Sequence, residues 1–378
     1  MKSVVIAGYA RSPFTPAHKG ALTKVRPDEL AAQVIRGLLR RTGVNVEDIE
    51  DLIVGCAFPE GEQGLNVARL VGLLSDLPLS VGGATVNRFC GSSMQAIHSA
   101  AGAIQMNAGE LFLCAGVESM TRVPMMGFNP LPHPGLYASR PQAYMSMGET
   151  AENVAKQYRI SRHQQETFAV ASHSKATEAQ DKDRLAREIV PINHVSDTVS
   201  KDGCIRSDTS LEALADLKPA FAVDGTVTAG TSSPLTDGAA AVLVCTEDYA
   251  STHGLEALAR IKGIAVAGCA PEIMGMGPVA VSRKAMARAG LSIDDIDVIE
   301  LNEAFASQSL ACINELRLDR DKVNIDGGAI ALGHPLGATG ARITGKAAAL
   351  LRREGGRYAL ATQCIGGGQG IATVLEAV

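Results

Sequence analysis

Two stretches of this chain, offset by 247 residues, repeat one pattern. Residues 42–55 read "TGVNVEDIEDLIVG" and align without a gap with residues 289–302, "AGLSIDDIDVIELN", so that Gly43 matches Gly290. Each stretch follows an amphipathic helical segment and ends in a short apolar strand. Two acidic turns can resemble each other by coincidence, but the matching helix and strand around them favour a true duplication.

The duplication restricts the fold, because both halves must then fold in the same way. Alternating strands and helices in each half predict an α/β layered fold. The same offset carries Cys90 onto Gly337, and both residues lie in loops that lead into helices. If the halves pack about a pseudo-twofold axis, these two loops can meet.

The segment at residues 118–233 differs from both halves. It contains a passage rich in Met, Pro, Gly and His, "MTRVPMMGFNPLPHPG". A helix follows, opened by a capping box of Ser161 and Gln164 and predicted to run to about Asp181. We interpret the segment as an inserted loop domain that covers a site. The predicted units are residues 1–117 with 234–257 (first half), 118–233 (inserted domain) and 258–378 (second half).

The composition excludes several classes of function. The chain has 378 residues, of which 46% are hydrophobic and 20% charged, so it can bury a large core. Its net charge is −5 and its lysines and arginines are dispersed, which argues against nucleic-acid binding. The apolar run at residues 4–8 is too short for a signal sequence and predicts a first buried strand. No run approaches the roughly 18 apolar residues of a membrane span.

The eight cysteines include no C-x-x-C pair. In a chain without a leader this pattern predicts reduced thiols and a cytoplasmic protein, with neither a disulfide framework nor a zinc site. Cys114 and Cys245 lie inside apolar strands, and we interpret both as structural.

Cys90 lies in a different setting, "VNRFCGSSMQAI", where small residues open a predicted helix. The partial positive charge and free N–H groups of a helix N-terminus favour a thiolate, so the sequence predicts a lowered pKa for the Cys90 thiol and a nucleophilic role. A packed structural cysteine is the alternative. The predicted inner face of the helix consists of Met94, Ile97, Ala101 and Ile104.

Three later stretches carry further candidate residues. Asn302 follows a predicted strand at residues 298–301, at the strand end where α/β proteins place their sites. His334 lies between Gly333 and a proline, which leaves it little freedom. Cys364 ends a predicted strand and precedes three glycines, whose N–H groups can line an anion-stabilising pocket.

Four motifs, "NRFCGSSMQAI", "NEAFASQ", "GGAIALGHPLGATGAR" and "CIGGGQGIATV", together resemble the thiolase family, and the resemblance spans the whole chain. It implies a duplicated five-layered α-β-α-β-α fold with an inserted loop domain. It also implies that Cys90 is the acylated nucleophile, that His334 takes its proton and that Cys364 is the second acid/base. Asn302, acting through a water, resembles part of the enolate-stabilising group. The N–H groups of Cys90 and Gly366 resemble the hole for the tetrahedral intermediate.

The reaction that this resemblance implies is thiolytic cleavage of 3-ketoacyl-CoA by CoA, giving acetyl-CoA and a shortened acyl-CoA, as in fatty-acid β-oxidation. Coenzyme A is then a substrate, and neither a metal nor a permanently bound cofactor is expected. The resemblance implies a CoA-binding and acyl-binding set of Arg206, Ser233, Met147, Phe221, Met274 and Phe305. Ordinary core packing for the methionines and a solvated charge for Arg206 are the alternatives.

Other members of this structural class remain as alternatives. A biosynthetic acetoacetyl-CoA thiolase more often carries His-Met-Gly where this chain has Ser146, Met147 and Gly148. A 3-ketoacyl synthase uses one cysteine with two histidines, whereas this chain supplies a second thiol. A non-catalytic acyl-CoA or lipid carrier does not require Cys90 or Cys364. The resemblance also implies a homo-oligomer, a dimer or tetramer, or assembly with a hydratase/dehydrogenase subunit.

Overall fold

The computed structural model describes residues 2–195 and 197–378. The strands are β1 (Val4–Arg11), β2 (Thr15–Pro16), β3 (Asp51–Gly55), β4 (Ala84–Val86), β5 (Leu111–Ser119), β6 (Ile192–His194), β7 (Asp197–Val199), β8 (Thr236–Thr246), β9 (Ala259–Gly268), β10 (Val298–Leu301), β11 (Tyr358–Ile365) and β12 (Gln369–Glu376). The helices are α1 (Pro27–Thr42), α2 (Val67–Leu74), α3 (Ser92–Gln105), α4 (Pro134–Ser139), α5 (Met147–Gln157), α6 (Arg162–Asp181), α7 (Leu211–Ala215), α8 (Glu247–Thr252), α9 (Gly277–Ala289), α10 (Ala306–Leu316), α11 (Ala329–Leu332) and α12 (Leu336–Glu354).

The duplication is visible in the strands. Strands β3 and β10 begin at residues 51 and 298, and β5 and β11 begin at residues 111 and 358, so both pairs keep the offset of 247. In each half a parallel pair, β3–β5 or β10–β11, continues into an antiparallel pair, β5–β8 or β11–β12. The halves join where β1 pairs with β9, giving the order β10-β11-β12-β9-β1-β8-β5-β3-β4, with β2 paired to β8. The predicted duplication is therefore confirmed.

The fold has five layers, with three apolar cores between them. Helices α1 and α2 cover the outer face of the first-half strands, and α9 and α10 cover the outer face of the second-half strands. Helices α3 and α12 pack against each other between the two sets of strands and share one core with both. The predicted inner face of α3, from Met94 to Ile104, is buried there. The α-β-α-β-α layering predicted from the resemblance is confirmed.

The two central helices approach closely because small residues line their contact. A side chain at Gly340 on α12 would overlap the backbone of Met94 on α3. Ser93 of α3 accepts a hydrogen bond from the N–H of Ala341 at 2.8 Å. The loops that precede these helices are consequently held side by side, as the offset between Cys90 and Gly337 predicted.

The inserted segment enters the first half between β5 and β8. Residues 120–235 separate these strands, whereas residues 366–368 alone join β11 to β12. The insertion contains α4 to α7 and the β6–β7 hairpin. The capping box is confirmed: Ser161 Oγ accepts from the Gln164 N–H, and α6 ends at Asp181. We propose the division into residues 1–117 with 234–257, 118–233 and 258–378 on this basis.

Candidate active site

Cys90 lies in a tight turn immediately before α3. Its neighbour Phe89 has a φ of +44°, in the left-handed region that a non-glycine residue seldom adopts. Ser92 Oγ accepts the N–H of Arg88 at 2.9 Å and donates to the carbonyl of Phe89 at 2.6 Å, which closes the turn. The second half holds it from the other side, since Gln363 Nε2 donates to the Cys90 carbonyl at 2.7 Å. The turn therefore fixes the position of Cys90 at the contact between the halves.

The Cys90 thiol is in contact with backbone donors from both halves. Burial is the largest effect on this group and raises its pKa to about 12. The N–H groups of Gly366 and of Cys90 itself lower the pKa, and the Glu118 carboxylate raises it. The lowered pKa predicted from the helix N-terminus is therefore wrong for the free protein, because desolvation outweighs the N–H groups. As a residue, Cys90 keeps part of its surface exposed.

The second thiol, Cys364, lies on β11 opposite Gly370 and is buried. Burial raises its pKa well above the usual value, and the sulfur of Cys90 is the next largest cause. The two sulfur atoms are thus close enough to interact electrostatically. Cys364 packs in an apolar cluster with Met274 and Phe305. This arrangement brings together two thiols that are far apart in the sequence.

His334 is buried and held at both ring nitrogens. Its Nδ1 lies 2.7 Å from Thr339 Oγ1, and its Nε2 lies 3.3 Å from Asn302 Nδ2. The Thr339 hydroxyl donates to the Pro335 carbonyl at 3.0 Å, so it must accept from His334 Nδ1–H. We therefore assign the proton of the neutral ring to Nδ1, so that Nε2 carries the lone pair, which accepts from Asn302 Nδ2 and can act as a base. Burial, followed by Arg342, lowers the pKa of His334 to about 3, so the ring is neutral at pH 7.

Replacing Thr339 with valine is expected to lower kcat by about tenfold or more, because the ring is then free to place its proton on Nε2. Thr339→Ser keeps the hydroxyl and should restore most of the activity. Thr344→Val is the matched control, since Thr344 lies on the same helix and donates to the Gly340 carbonyl in the same way, at 2.7 Å. Steady-state thiolysis assays decide: equal kcat values for Thr339→Val and Thr344→Val would contradict the assignment.

Asn302 follows β10, as predicted, and is fully buried. Its Nδ2 approaches His334, while its Oδ1 has no hydrogen-bond partner in the part of the chain that the structure describes. Asn302 and His334 therefore present polar atoms side by side at the end of the second-half strands.

Most of the residues predicted to bind CoA or the acyl chain lie near Cys364. Met147 packs on the cluster that contains Cys364, and its Sδ faces Gly366. The rings of Phe221 and Phe305 meet edge to face, with centroids 5.9 Å apart. The structure brings these residues together with Met274 (named above) around the second thiol.

The two remaining predicted residues have different surroundings. Ser233 is half-buried, and its N–H donates to the Ala304 carbonyl at 3.0 Å, beside the same cluster. Arg206 is exposed, and its N–H donates to His173 Nδ1 at 3.1 Å. Arg206 and His173 line a separate surface cavity of about 390 Å³, which none of the other predicted site residues lines. Arg206 therefore lies at the protein surface, beside this cavity.

Three further residues hold the site and were missed from the sequence: Gln363, Thr339 and Glu118. Thr339 lies inside a recognised motif, five residues after His334, and Gln363 directly precedes another. The partner of Gln363, the Cys90 carbonyl, lies in the other half of the chain and is known only from the tertiary contact. None of the described helices is both long and apolar enough to cross a membrane.

Comparisons with known proteins agree with the motifs. The model of the thiolase N-terminal domain matches residues 4–248, and that of the thiolase C-terminal domain matches residues 255–377. The chain is 46% identical over 389 aligned positions to the 3-ketoacyl-CoA thiolase of Bacillus subtilis (strain 168), with all of both chains covered. It is 49% identical to the 3-ketoacyl-CoA thiolase of Vibrio vulnificus (strain CMCP6), again with both chains fully covered.

Solved structures give the same result. A human mitochondrial 3-ketoacyl-CoA thiolase in complex with CoA matches with a TM-score of 0.92 and 38% identity, covering 100% of this chain and 98% of that one. A Bacillus anthracis acetyl-CoA acetyltransferase matches with a TM-score of 0.92 and 41% identity, covering 100% and 99%.

Proposed function

The chain belongs to the thiolase family, and we propose that it cleaves 3-ketoacyl-CoA with CoA to give acetyl-CoA and an acyl-CoA two carbons shorter. The observation that carries this proposal is the meeting of both halves at the Cys90 sulfur. Cys90 from the first half lies against the N–H of Gly366 and within electrostatic reach of Cys364 from the second. A nucleophile, a pair of N–H donors and a second thiol are the groups that thiolysis requires.

In the first step Cys90 attacks the 3-keto carbon and His334 Nε2 takes the thiol proton. Burial disfavours both the thiolate and the imidazolium. When the two ions form together they stabilise each other, because each is the opposite charge that the other needs. The N–H groups of Cys90 and Gly366 hydrogen-bond the tetrahedral oxyanion.

In the second step the bond between C2 and C3 breaks, leaving an acyl group on Cys90 and the enolate of acetyl-CoA. His334 and Asn302 stabilise the enolate oxygen, and Cys364 protonates its carbon. CoA then attacks the acyl-Cys90 thioester and gives its thiol proton to the Cys364 thiolate. The bond between the acyl carbon and the Cys90 sulfur breaks, Cys90 takes its proton back from His334, and acyl-CoA leaves. The reverse sequence is a Claisen condensation.

The CoA and acyl groups are proposed to lie along Met147, Phe221, Met274, Phe305 and Ser233, in contact with the apolar cluster at Cys364. Arg206 is proposed to meet the nucleotide end of CoA, outside that cluster. We propose that CoA is a substrate and that no cofactor is permanently bound.

The chain-length preference tests the degradative assignment. Because the flexible methionines and phenylalanines of this cluster pack adaptably, we expect turnover of long substrates such as 3-ketohexadecanoyl-CoA as well as of acetoacetyl-CoA. Thiolysis rates along a ladder of 3-ketoacyl-CoA substrates are the measurement. A strong preference for the four-carbon substrate would instead indicate a biosynthetic acetoacetyl-CoA thiolase, and acyl binding without carbon–carbon cleavage would indicate a carrier.

We further propose a role in fatty-acid β-oxidation, a cytoplasmic location and an oligomer. All eight cysteines are free, which suits a reducing compartment. Strand β4 (Ala84–Val86) ends the sheet in the first half, so its free edge is available to a second copy in a dimer or tetramer. A complex with a hydratase/dehydrogenase subunit is the other assembly, and the mass of the native protein distinguishes them.

A further inference from the structure

Glu118, the penultimate residue of β5, has a fully buried carboxylate that joins three segments. Its Oε2 accepts the N–H of Ala57 at 2.8 Å and the N–H of Gly337 at 2.9 Å. Its Oε1 accepts Gln63 Nε2 at 2.8 Å and the N–H of Phe58 at 3.3 Å. The loop after β3, the side chain of Gln63 and the first turn of α12 therefore converge on one side chain.

All four of these donors are neutral, and no lysine, arginine or histidine is among the hydrogen-bond partners of Glu118 in the described residues. Burial raises the pKa of Glu118, and the four donors lower it. Each oxygen already accepts two N–H groups, so a proton on either one would displace a donor. The ionised carboxylate satisfies all four donors, whereas an amide in its place would turn an N–H₂ group toward other donors.

The three segments that Glu118 joins carry or enclose the reacting groups. Gly337 lies three residues after His334, in the loop that holds the imidazole. Ala57 and Leu336 form an apolar cluster on which Cys90 packs. One carboxylate thus connects the His334 loop of the second half to the apolar cluster on which Cys90 packs.

The charge of Glu118 also acts on neighbouring thiols. It raises the pKa of Cys90, in addition to the larger effect of burial. It raises the pKa of Cys56 as well, whose sulfur lies 3.8 Å from Oε1. Cys90 in turn raises the pKa of Cys364, in the second half.

We propose that Glu118 is a positioning residue for the reaction proposed above: its carboxylate fixes the His334 loop against the apolar cluster on which Cys90 packs. Its charge also acts on the Cys90 thiol, in addition to the larger effect of burial. Only the catalytic part of this proposal rests on the proposed function. The electrostatic part concerns Cys90 alone and is measurable without any substrate.

The two parts are separated by two variants. Glu118→Gln removes the charge, and at pH 8 it is expected to raise the rate of Cys90 alkylation by iodoacetamide about threefold or more, since each pKa unit changes the thiolate fraction about tenfold. It is also expected to lower kcat by about 100-fold, because the His334 loop is no longer held in register. Glu118→Asp keeps the charge but shortens the reach, so it should lower kcat without speeding alkylation.

Asp297→Asn is the matched control for losing a carboxylate that accepts backbone N–H groups. Asp297 Oδ2 accepts the backbone N–H of Arg357 at 2.7 Å and that of Tyr358 at 3.1 Å. These residues lie at the ends of the second-half strands that are opposite the site. Asp297→Asn should leave both the alkylation rate and kcat near those of the unmodified protein. Peptide mass spectrometry assigns the alkylated cysteine.

The outcomes separate this proposal from the proposed function. Alkylation of Glu118→Gln at the unmodified rate overturns the electrostatic part, and unmodified kcat in Glu118→Asp overturns the positioning role. The second result remains decisive if Glu118→Gln does not fold. Absence of thiolysis in the unmodified protein overturns the proposed function, while the alkylation comparison still decides whether Glu118 acts on Cys90.

Discussion

Replacing Cys90 with alanine is expected to lower the rate of 3-ketoacyl-CoA thiolysis by at least about 10⁴-fold, because it removes the nucleophile proposed to form the acyl-enzyme. The loss should appear in kcat and be accompanied by the absence of any acylated protein in intact-protein mass spectra. Since Cys90 is only partly buried, the variant should fold and unfold near the temperature of the unmodified protein.

Cys114→Ala is the control for Cys90→Ala. Cys114 is fully buried in β5, within the core shared by both halves, and its sulfur has no role in the proposed steps. Its loss should cost some thermal stability and leave kcat largely unchanged. Residual thiolysis by Cys90→Ala above about one per cent would exclude Cys90 as the nucleophile.

Replacing Cys364 with alanine is expected to separate the two half-reactions. Acyl transfer from an acyl-CoA to Cys90 needs the nucleophile, His334 and the N–H donors, so it should persist. Cleavage and formation of the C2–C3 bond need a proton at the enolate carbon, so thiolysis should fall by at least about 10³-fold. Exchange of labelled CoA into acyl-CoA measures the first activity, and thiolysis of 3-ketoacyl-CoA measures the second.

Cys312→Ala is the comparison for Cys364→Ala. Cys312 is buried on α10 in the same half, and its thiol donates to the Gly275 carbonyl at 3.2 Å. This variant should retain both activities. If Cys364→Ala lost exchange and thiolysis to the same extent, the second thiol would act on acylation itself, and its separate role in carbon–carbon chemistry would be wrong.

Several features of the fold were predictable because they are local or repeated. The apolar run at residues 4–8 became the start of β1, and the strand predicted at residues 298–301 is β10. The capping box at Ser161 predicted where α6 begins, and the helix ends at Asp181, as predicted. Hydrogen bonds within three or four residues and the spacing of apolar residues determine such elements, so they can be read without the rest of the chain.

The protonation of the site was not predictable in the same way. The helix N-terminus at Cys90 suggested a thiolate, yet burial raises the pKa of this thiol to about 12. The layers that bury it come from both halves, including Gly366, 276 positions further along the chain. Desolvation depends on all atoms around a group, and a motif of eleven residues does not contain them.

The sequence alone determined the duplicated framework and the identities of the reacting groups, because repeats, motifs and their order are properties of the chain. Tertiary packing alone decided that Cys90 and Cys364 interact and that Gln363 holds the Cys90 carbonyl. These contacts join residues that are remote in sequence. They form, and water is excluded from them, only when the two halves pack together.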